Sequence, residues 1–325
     1  MRAAWYEKTG AARDVLVVGE MPTPEPGPGE VRVQLKTSGV NPSDWKARMG
    51  SRPMTAPRII PHSDGAGIIE KVGPGGPAER VGQRVWIWNG QWRRPLGTAA
   101  EFIVVPAAQA VPMPDKASFE AAACFGIPAL TAYRALATDG GVAGKTVLVM
   151  GGAGAVGHYA IQMAKLMGAS KVITTVSSPA KAAHAEAAGA DEIINYKTEN
   201  VVERIKALTL GAGVHRIVEV DIGGNAKLYA EIIARDGIIA AYGTNVQEIK
   251  LTFTPMIVSG AAIRFFIVYE LSPEARAAAI NDLTRWINEG KLKHAVAAKY
   301  ALGDIVAAHE AVEQGKHMGN VVLTM

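Results

Sequence analysis

Thr146-Val147-Leu148-Val149-Met150-Gly151-Gly152-Ala153-Gly154-Ala155-Val156-Gly157 is the stretch that decides the fold. Residues 146–150 form an apolar run without alternation, the pattern of a strand buried on both faces. Gly152, Gly154 and Gly157 follow in the spacing G-x-G-x-x-G, and Ala160, Ile161, Ala164 and Met167 then mark one face of a helix. A second strand is predicted over 172–176. Glycines at this spacing let the backbone turn sharply and approach a pyrophosphate, while the helix start offers N–H groups and a positive dipole end. A glycine run alone is a tight turn. Strand, turn, helix and strand together make a dinucleotide-binding unit, with Gly152, Ala153, Gly154, Ala155, Val156 and Gly157 as its cradle.

The end of the second strand separates the two nicotinamide cofactors. An NAD site places Asp or Glu about 20 residues beyond the glycines, on the ribose 2′-hydroxyl. Here the chain reads Thr175-Val176-Ser177-Ser178-Pro179-Ala180-Lys181, with no carboxylate. Two hydroxyls and an ammonium suit a 2′-phosphate, so NADPH is the expected cofactor, held at Ser177, Ser178 and Lys181. Ser178 before Pro179 also fits a plain helix N-cap.

Outward from this unit, strands are predicted over 192–194, 216–220, 237–242 and 262–268, with helical stretches between them. Buried strands alternating with helices argue a doubly wound parallel sheet over residues 125–269. Residues 1–124 read differently. Val31-Arg32-Val33-Gln34-Leu35-Lys36 alternates with period two, and short strands fit 67–72, 84–88 and 100–105. Met21-Pro22-Thr23-Pro24-Glu25-Pro26-Gly27-Pro28 can neither donate to a ladder nor sit inside a helix, so it is an extended connector. This part is expected to form a small irregular β-barrel. Ser272-Pro273-Glu274 starts a helix, and the strand-like 320–323 is expected to return to the first domain, so that 270–325 completes it. The fold class is α/β.

The chain has 325 residues, 49% hydrophobic and 20% charged, enough for two domains with ample cores. Its one cysteine, Cys124, excludes a disulfide framework and any zinc site built on several thiolates. A formal net charge of +4, without a run of like charges, argues against nucleic acid. Glu7 and Lys8 interrupt any apolar core of a signal peptide, and no apolar run approaches the length of about 20 residues needed to span a bilayer. A soluble cytoplasmic protein without membrane contact is expected.

The chain also resembles the zeta-crystallin and quinone oxidoreductase branch of the medium-chain dehydrogenase/reductase superfamily. The resemblance rests on Gly39-Val40-Asn41-Pro42-Ser43-Asp44, on Asp64-Gly65-Ala66-Gly67-Ile68-Ile69-Glu70-Lys71-Val72-Gly73, and on Gly82-Gln83-Arg84-Val85. It continues through Leu130-Thr131-Ala132-Tyr133, the glycine loop, and Gly189-Ala190-Asp191-Glu192-Ile193-Ile194-Asn195-Tyr196. It implies a GroES-like barrel, a Rossmann domain, a cleft between them, and a homodimer joined through the edges of the nucleotide-domain sheets. It implies that Asn41 lines the nicotinamide side, that Ser177 and Lys181 belong to the adenosine-phosphate loop, and that Tyr196 flanks it. Thr131, Tyr242-Gly243-Thr244 and Phe266-Ile267-Val268 match further cofactor-contacting segments. Zinc-containing relatives carry Cys where Asn41 stands, His where Ser63 stands, and a four-cysteine loop that is missing here, so no metal is expected. His62, one position away, reads as a lone structural hydrogen-bonder. Two departures stand out: Lys46 replaces a Tyr of the substrate pocket, beside Trp45, and Asn320 replaces a frequent Lys.

Without a Lewis acid, the natural acceptor is one that already delocalises incoming electrons. Hydride transfer from NADPH to a quinone is therefore the expected reaction, with Asn41 as the positioning residue and Asp44, Lys46 and Arg48 as further candidates. The alternatives are reduction of the C=C bond of an α,β-unsaturated ketone or aldehyde, and a non-catalytic protein that binds NADPH or RNA. Trp86, Trp88 and Trp92 read as packing residues or as the mouth of a substrate site. His158 reads as a phosphate contact or a surface residue, and His184, His215, His294, His309 and His317 share no metal spacing.

Overall fold

The computed structural model describes all residues, Met1–Met325. The chain divides into two compact units, Met1–Ile127 with Thr284–Met325, and Pro128–Leu283. The first opens with an antiparallel ribbon of β1 (Arg2–Trp5) and β2 (Val17–Glu20). The proline-rich connector follows, then β3 (Glu30–Val40), β4 (Asp64–Val72), β5 (Arg84–Ile87), β6 (Phe102–Pro106) and β7 (Ala110–Pro112). Val31, Val33 and Leu35 alternate into a core with Ile69, Val85, Ile87, Ile103 and Val105. The connector covers the other face of β3, where buried Arg32 pairs with Glu25 at 2.7 Å and Glu70 at 2.6 Å. The β3–β4 register shifts between Arg32 and Val33 and again between Leu35 and Thr37. Such bulges bend a strand and strengthen its twist, which curls this sheet as a barrel requires.

The second unit holds β8 (Thr146–Val149), β9 (Lys171–Val176), β10 (Glu192–Asn195), β11 (Val214–Glu219), β12 (Ile233–Ala241) and β13 (Ala262–Phe265). All are parallel, in the order β10-β9-β8-β11-β12-β13. This is the Rossmann order, and it reverses between β8 and β11. Leu148, Ile173, Ile194, Ile217 and Ile239 are fully buried in its core. β12 and β13 differ most from the sequence reading. β12 begins at Ile233 rather than 237, because a register shift and a left-handed Asp236 (φ 53°) carry the chain through the charged Arg235-Asp236 pair. β13 ends at Phe265 rather than 268, because Val268–Glu270 turns into a 3-10 helix.

In the first unit, β14 (Val296–Ala301) pairs parallel with β15 (Asn320–Thr324), and β15 pairs antiparallel with β3. The tail strand therefore joins the sheet of the first unit, and residues 270–283 lie with the second. Tyr133 donates its hydroxyl to Asp282 at 2.8 Å, and Arg276 donates to the carbonyls of Val268 and Tyr269. Phe125 stays with the first unit, packed on Trp86 and His294 at ring distances of 5.8 and 5.2 Å. No helix is long and apolar enough to cross a membrane.

Candidate cofactor and active site

In the second unit the chain leaves β8 at the point where strand order reverses. Gly151 adopts φ +73°, a left-handed turn open to glycine at no steric cost. Gly152 then lies against β9: a Cβ there would sit 2.1 Å from Thr174 Oγ1. Gly154 is the N-cap of helix Ala155–Leu166. A Cβ on Gly157 would fall 2.3 Å from the Gly151 carbonyl oxygen, so the first helical turn packs directly on the turn before it. Two threonines that the sequence reading passed over hold this loop. Thr174 Oγ1 donates to the Val149 carbonyl at 2.7 Å, and Thr175 Oγ1 accepts from the Gly151 N–H at 3.1 Å.

Beside this turn opens a cavity of about 460 Å³, lined by Gly151, Thr175, Tyr196, Asp221, Asn225 and Leu228 among others. Tyr196, expected at the nucleotide, is half exposed there. Asp221 was not foreseen. It caps helix Ile222–Ile232, accepting from the N–H groups of Gly224 and Asn245. Below it the fully buried Glu219 accepts from the Asp221 N–H at 2.6 Å, from Asn225 Nδ2 at 3.0 Å and from the Tyr229 hydroxyl at 2.8 Å. Burial pushes the Glu219 carboxyl up, against the pull of these three donors. Glu219, at the end of β11 and held by Tyr229 from helix Ile222–Ile232, thus braces Asp221 and Asn225 in the cavity lining.

At the end of β9, Lys181 Nζ donates to Ser177 Oγ at 3.1 Å, so the hydroxyl and ammonium do meet. Ser178 Oγ accepts from the Lys181 N–H at 3.3 Å as the N-cap of helix Pro179–Ala187. Tyr242 and Phe266 lie 6.2 Å apart between ring centres, just past β12 and β13. A Cβ on Gly243 would meet the Val220 carbonyl oxygen at 2.3 Å, and Thr244 Oγ1 donates to the Val246 carbonyl. Thr131 is buried within helix Leu130–Ala137, Ile267 is exposed, and Val268 is buried. His158 is buried and lies against His184 at 4.7 Å, so the surface alternative does not hold.

In the first unit, Asn41 ends β3 and caps helix Pro42–Arg48. Its N–H donates to Asp44 Oδ2 at 2.7 Å, and its Nδ2 donates to Asp64 Oδ2 at 2.9 Å. The bond to Asp64 fixes which way the Asn41 amide points. Asp64 Oδ2 also accepts the Ile127 N–H at 3.1 Å. Both carboxyls are buried. Burial drives Asp44 to about 7, while the Asn41 N–H and the Arg52 charge pull it back. Burial raises Asp64 well above the carboxylate range, more strongly than its bond to Asn41 lowers it. Lys46 Nζ lies 5.7 Å from the Trp45 ring centre. Arg48 does not join them: it is buried, its Nη2 pairs with Glu313 at 3.0 Å, and its Nη1 donates to the Gly10 carbonyl.

His62 is not a lone residue. It adopts φ +76°, is fully buried, and stacks on His309 with Nε2 to Nε2 at 2.9 Å. His309 Nδ1 faces Arg48 Nε at 3.4 Å, and His62 Nδ1 faces Ser38 Oγ at 2.9 Å. Ser38 Oγ meets Thr98 Oγ1 at 2.7 Å, which donates to the Asp64 carbonyl at 2.5 Å. Arginine only donates and a carbonyl only accepts, so both ends fix the direction of this chain. His309 carries its proton on Nε2 and His62 on Nδ1, and both are neutral.

The zinc-binding dehydrogenase family matches residues 155–285, and the alcohol dehydrogenase GroES-like domain matches residues 27–115. The quinone oxidoreductase of Salmonella typhimurium is 33% identical over 318 residues, covering 95% of each chain. An alcohol dehydrogenase of Geobacillus stearothermophilus is 30% identical, covering 99% of each. The crystal structure of Escherichia coli quinone oxidoreductase complexed with NADPH superposes with a TM-score of 0.88 at 29% identity, covering 100% of each chain. The chain belongs to the medium-chain dehydrogenase/reductase superfamily and is an NAD(P)-dependent oxidoreductase. Within that superfamily it falls in the quinone oxidoreductase branch.

The zinc of the family's name does not fit the donors present. Asn41 gives its amide N–H to Asp64, and Ser63 Oγ accepts the Gln91 N–H at 3.3 Å. Burial pushes the Cys124 thiol up, and its Sγ donates to the Glu120 carbonyl, so it is no thiolate ligand. His62 Nε2 is taken by His309. Nowhere do three His, Cys, Asp or Glu side chains converge as a metal site requires.

Proposed function

We propose that this protein transfers a hydride from NADPH to a quinone without a metal. The observation that carries the reading is the Asn41–Asp64 pair, a buried amide and acid where a zinc-dependent relative would place its Lewis acid. An acceptor reduced there must stabilise the incoming electrons itself, as a quinone does. When bound, the reduced nicotinamide supplies the hydride. The turn at Gly152–Gly157 receives the diphosphate, and Ser177 with Lys181 holds the 2′-phosphate. Asn41, its nitrogen tied to Asp64, is the positioning residue for the reacting ring. Asp44 titrates near neutrality and holds a proton close to this amide. Lys46 donates to the acceptor oxygen.

An acceptor panel tests this. NADPH oxidation is expected with small quinones and absent with simple ketones, and NADP reduction is expected to be absent with simple alcohols. Turnover of alcohols in the manner of the dehydrogenase relatives, or of enones alone, overturns the quinone assignment. The working form is a homodimer built on the open edge of β13. Phe265 on β13 (61% exposed), and Phe253 (74% exposed), Ile257 and Val258 on helix Phe253–Ser259, leave apolar surface that a second copy covers. Sedimentation of a Phe253→Lys, Phe265→Lys variant as a monomer, against a dimeric parent, supports this; a monomeric parent contradicts it.

A further inference from the structure

Two buried carboxyls bracket Asn41, and they are not equivalent. Asp44, on helix Pro42–Arg48, accepts the Asn41 N–H at 2.7 Å and feels the charge of Arg52. Asp64, at the start of β4, is fully buried, and the charges acting on it include Asp44 but no cation. The Cys124 thiol also lies within its field, and His62, two residues before it, is neutral and turned to His309 and Ser38. One oxygen of Asp64 takes both donors: Oδ2 accepts from Asn41 Nδ2 at 2.9 Å and from the Ile127 N–H at 3.1 Å. The other, Oδ1, is buried, and no donor of the protein reaches it. It lies against Gly126, where an added Cβ would sit 2.4 Å from Oδ1 and 2.8 Å from the Ile87 carbonyl oxygen. Oδ1 therefore shares its corner with a second acceptor. Gly126 and Ile127 belong to a π-helical turn, Phe125–Ala129, a rare geometry that is frequent at functional sites.

A buried, ionised oxygen without a donor is costly, whereas a hydroxyl at the same place can itself donate. We propose that Asp64 works as a neutral carboxylic acid, with its proton on Oδ1, and is the positioning residue that orients the Asn41 amide. Oδ2 is then the carbonyl oxygen, which is the one that accepts both N–H groups. Burial pushes the acid toward the same state. The Asn41 side of the site thus carries no fixed negative charge from Asp64. A nicotinamide ring becomes cationic when it gives up its hydride, so a carboxylate here would retain the oxidised cofactor, and a neutral acid does not. This last consequence rests on the quinone-reduction reading, which puts the reacting ring beside Asn41; the protonation of Asp64 does not.

Infrared spectroscopy of the protein without cofactor tests the state of the acid. The spectrum of the parent minus that of Asp64→Asn is expected to contain the carbonyl band of a protonated carboxyl. That band is expected to persist above pH 7, where Asp44, raised to about 7, has lost its own proton. Asp64→Leu leaves the Asn41 and Ile127 N–H groups unpaired and should lower kcat/KM with NADPH and a small quinone by at least about tenfold. Asparagine keeps a carbonyl oxygen and places an amide NH2 where the acid has its hydroxyl, so Asp64→Asn should recover most of that loss. It should also change the affinities for NADP and NADPH by the same factor. The infrared difference and the asparagine variant keep the test valid even where Asp64→Leu fails to fold. Carboxylate bands in place of the carboxyl band overturn the inference, as does an Asp64→Asn that weakens NADP selectively, and both leave quinone reduction standing. A persistent carboxyl band with equal effects on the two cofactors, in a protein that reduces no quinone, upholds the acid and overturns the reaction instead.

Discussion

At the end of β8 the site is shaped by close approach of glycine backbone: Gly152 lies against the Thr174 hydroxyl, and Gly157 rests on the Gly151 carbonyl. Behind Asn41 it is shaped by side chains, in a buried line that runs from Arg48 through His309, His62, Ser38 and Thr98 to the Asp64 carbonyl. The two regions fail in different ways. A backbone cradle has no spare volume and tolerates no added atom. A side-chain chain has a fixed direction and tolerates no change in its count of protons. Each can be broken by the substitution the other would bear.

The largest effect is expected at Gly157→Val. The first added carbon meets the Gly151 carbonyl oxygen at 2.3 Å, so the turn proposed to hold the diphosphate must move. NADPH affinity should fall on the order of 100-fold, about 3 kcal/mol of overpacking strain, read by quenching of cofactor fluorescence. A Kd close to the parent's would break the claim that close packing at this turn holds the nucleotide.

The side-chain region is sharpened by a pair of variants. His309→Leu leaves His62 Nε2 and Arg48 Nε facing hydrocarbon, and should cost about 3 kcal/mol in a urea titration. His309→Gln can still accept from Arg48 and donate to His62, so it should recover most of that loss. Equal destabilisation by both would show that packing, not proton direction, governs the line.

A smaller effect lies in pH. Burial drives His62 down to about 3 and His309 well below its ordinary value, so the folded protein leaves both imidazoles unprotonated. The unfolded chain binds protons below about 6.5, so stability is lost as pH falls from there. Asp44 acts in the opposite sense: its carboxyl is raised to about 7, so its contribution is present below the ordinary carboxylate range and lost as pH rises through 7. Subtracting the curve of His309→Gln from the parent's isolates the histidine at 309. The parent should lose more stability than this variant as pH falls below 6.5, because burial holds His309 well below its ordinary value. A difference curve flat over that range would mean that His309 takes up its proton without cost.

Sequence and structure agree where local rules decide. The apolar run at 146–150 and the glycine spacing carry the Rossmann half, because strand burial and turn geometry are both written within a few residues. Ser178 before Pro179 and Ser272 before Pro273 likewise start their helices as read. The polar line was hidden because its members are far apart. His62 and His309 are separated by 247 residues, and no periodicity couples them. Arg48 looked like a candidate beside Asp44, yet its position on helix Pro42–Arg48 turns it to Glu313. One signal was available: His62 stands just before Ser63-Asp64-Gly65 without a ligand set, and a fully buried histidine requires a partner somewhere in the chain. The end of helix Leu130–Ala137 escaped for a similar reason. Arg216 reaches from β11 to the carbonyls of Ala135 and Thr138, a cap supplied by a different element.

The proposed preference for NADPH depends most on the corner where Lys181 meets Ser177, and Ser177→Asp probes it from the protein's side. That exchange should move the kcat/KM ratio toward NADH by about tenfold or more, since a carboxylate repels the 2′-phosphate and accepts from the 2′-hydroxyl. The most direct measurement is calorimetric titration of the parent with NADPH and with NADH in the same buffer. Binding of NADPH at least about tenfold tighter than NADH is predicted, as one charge-assisted phosphate contact implies. Equal affinities, or tighter binding of NADH, would contradict the claim that the extra phosphate is held here.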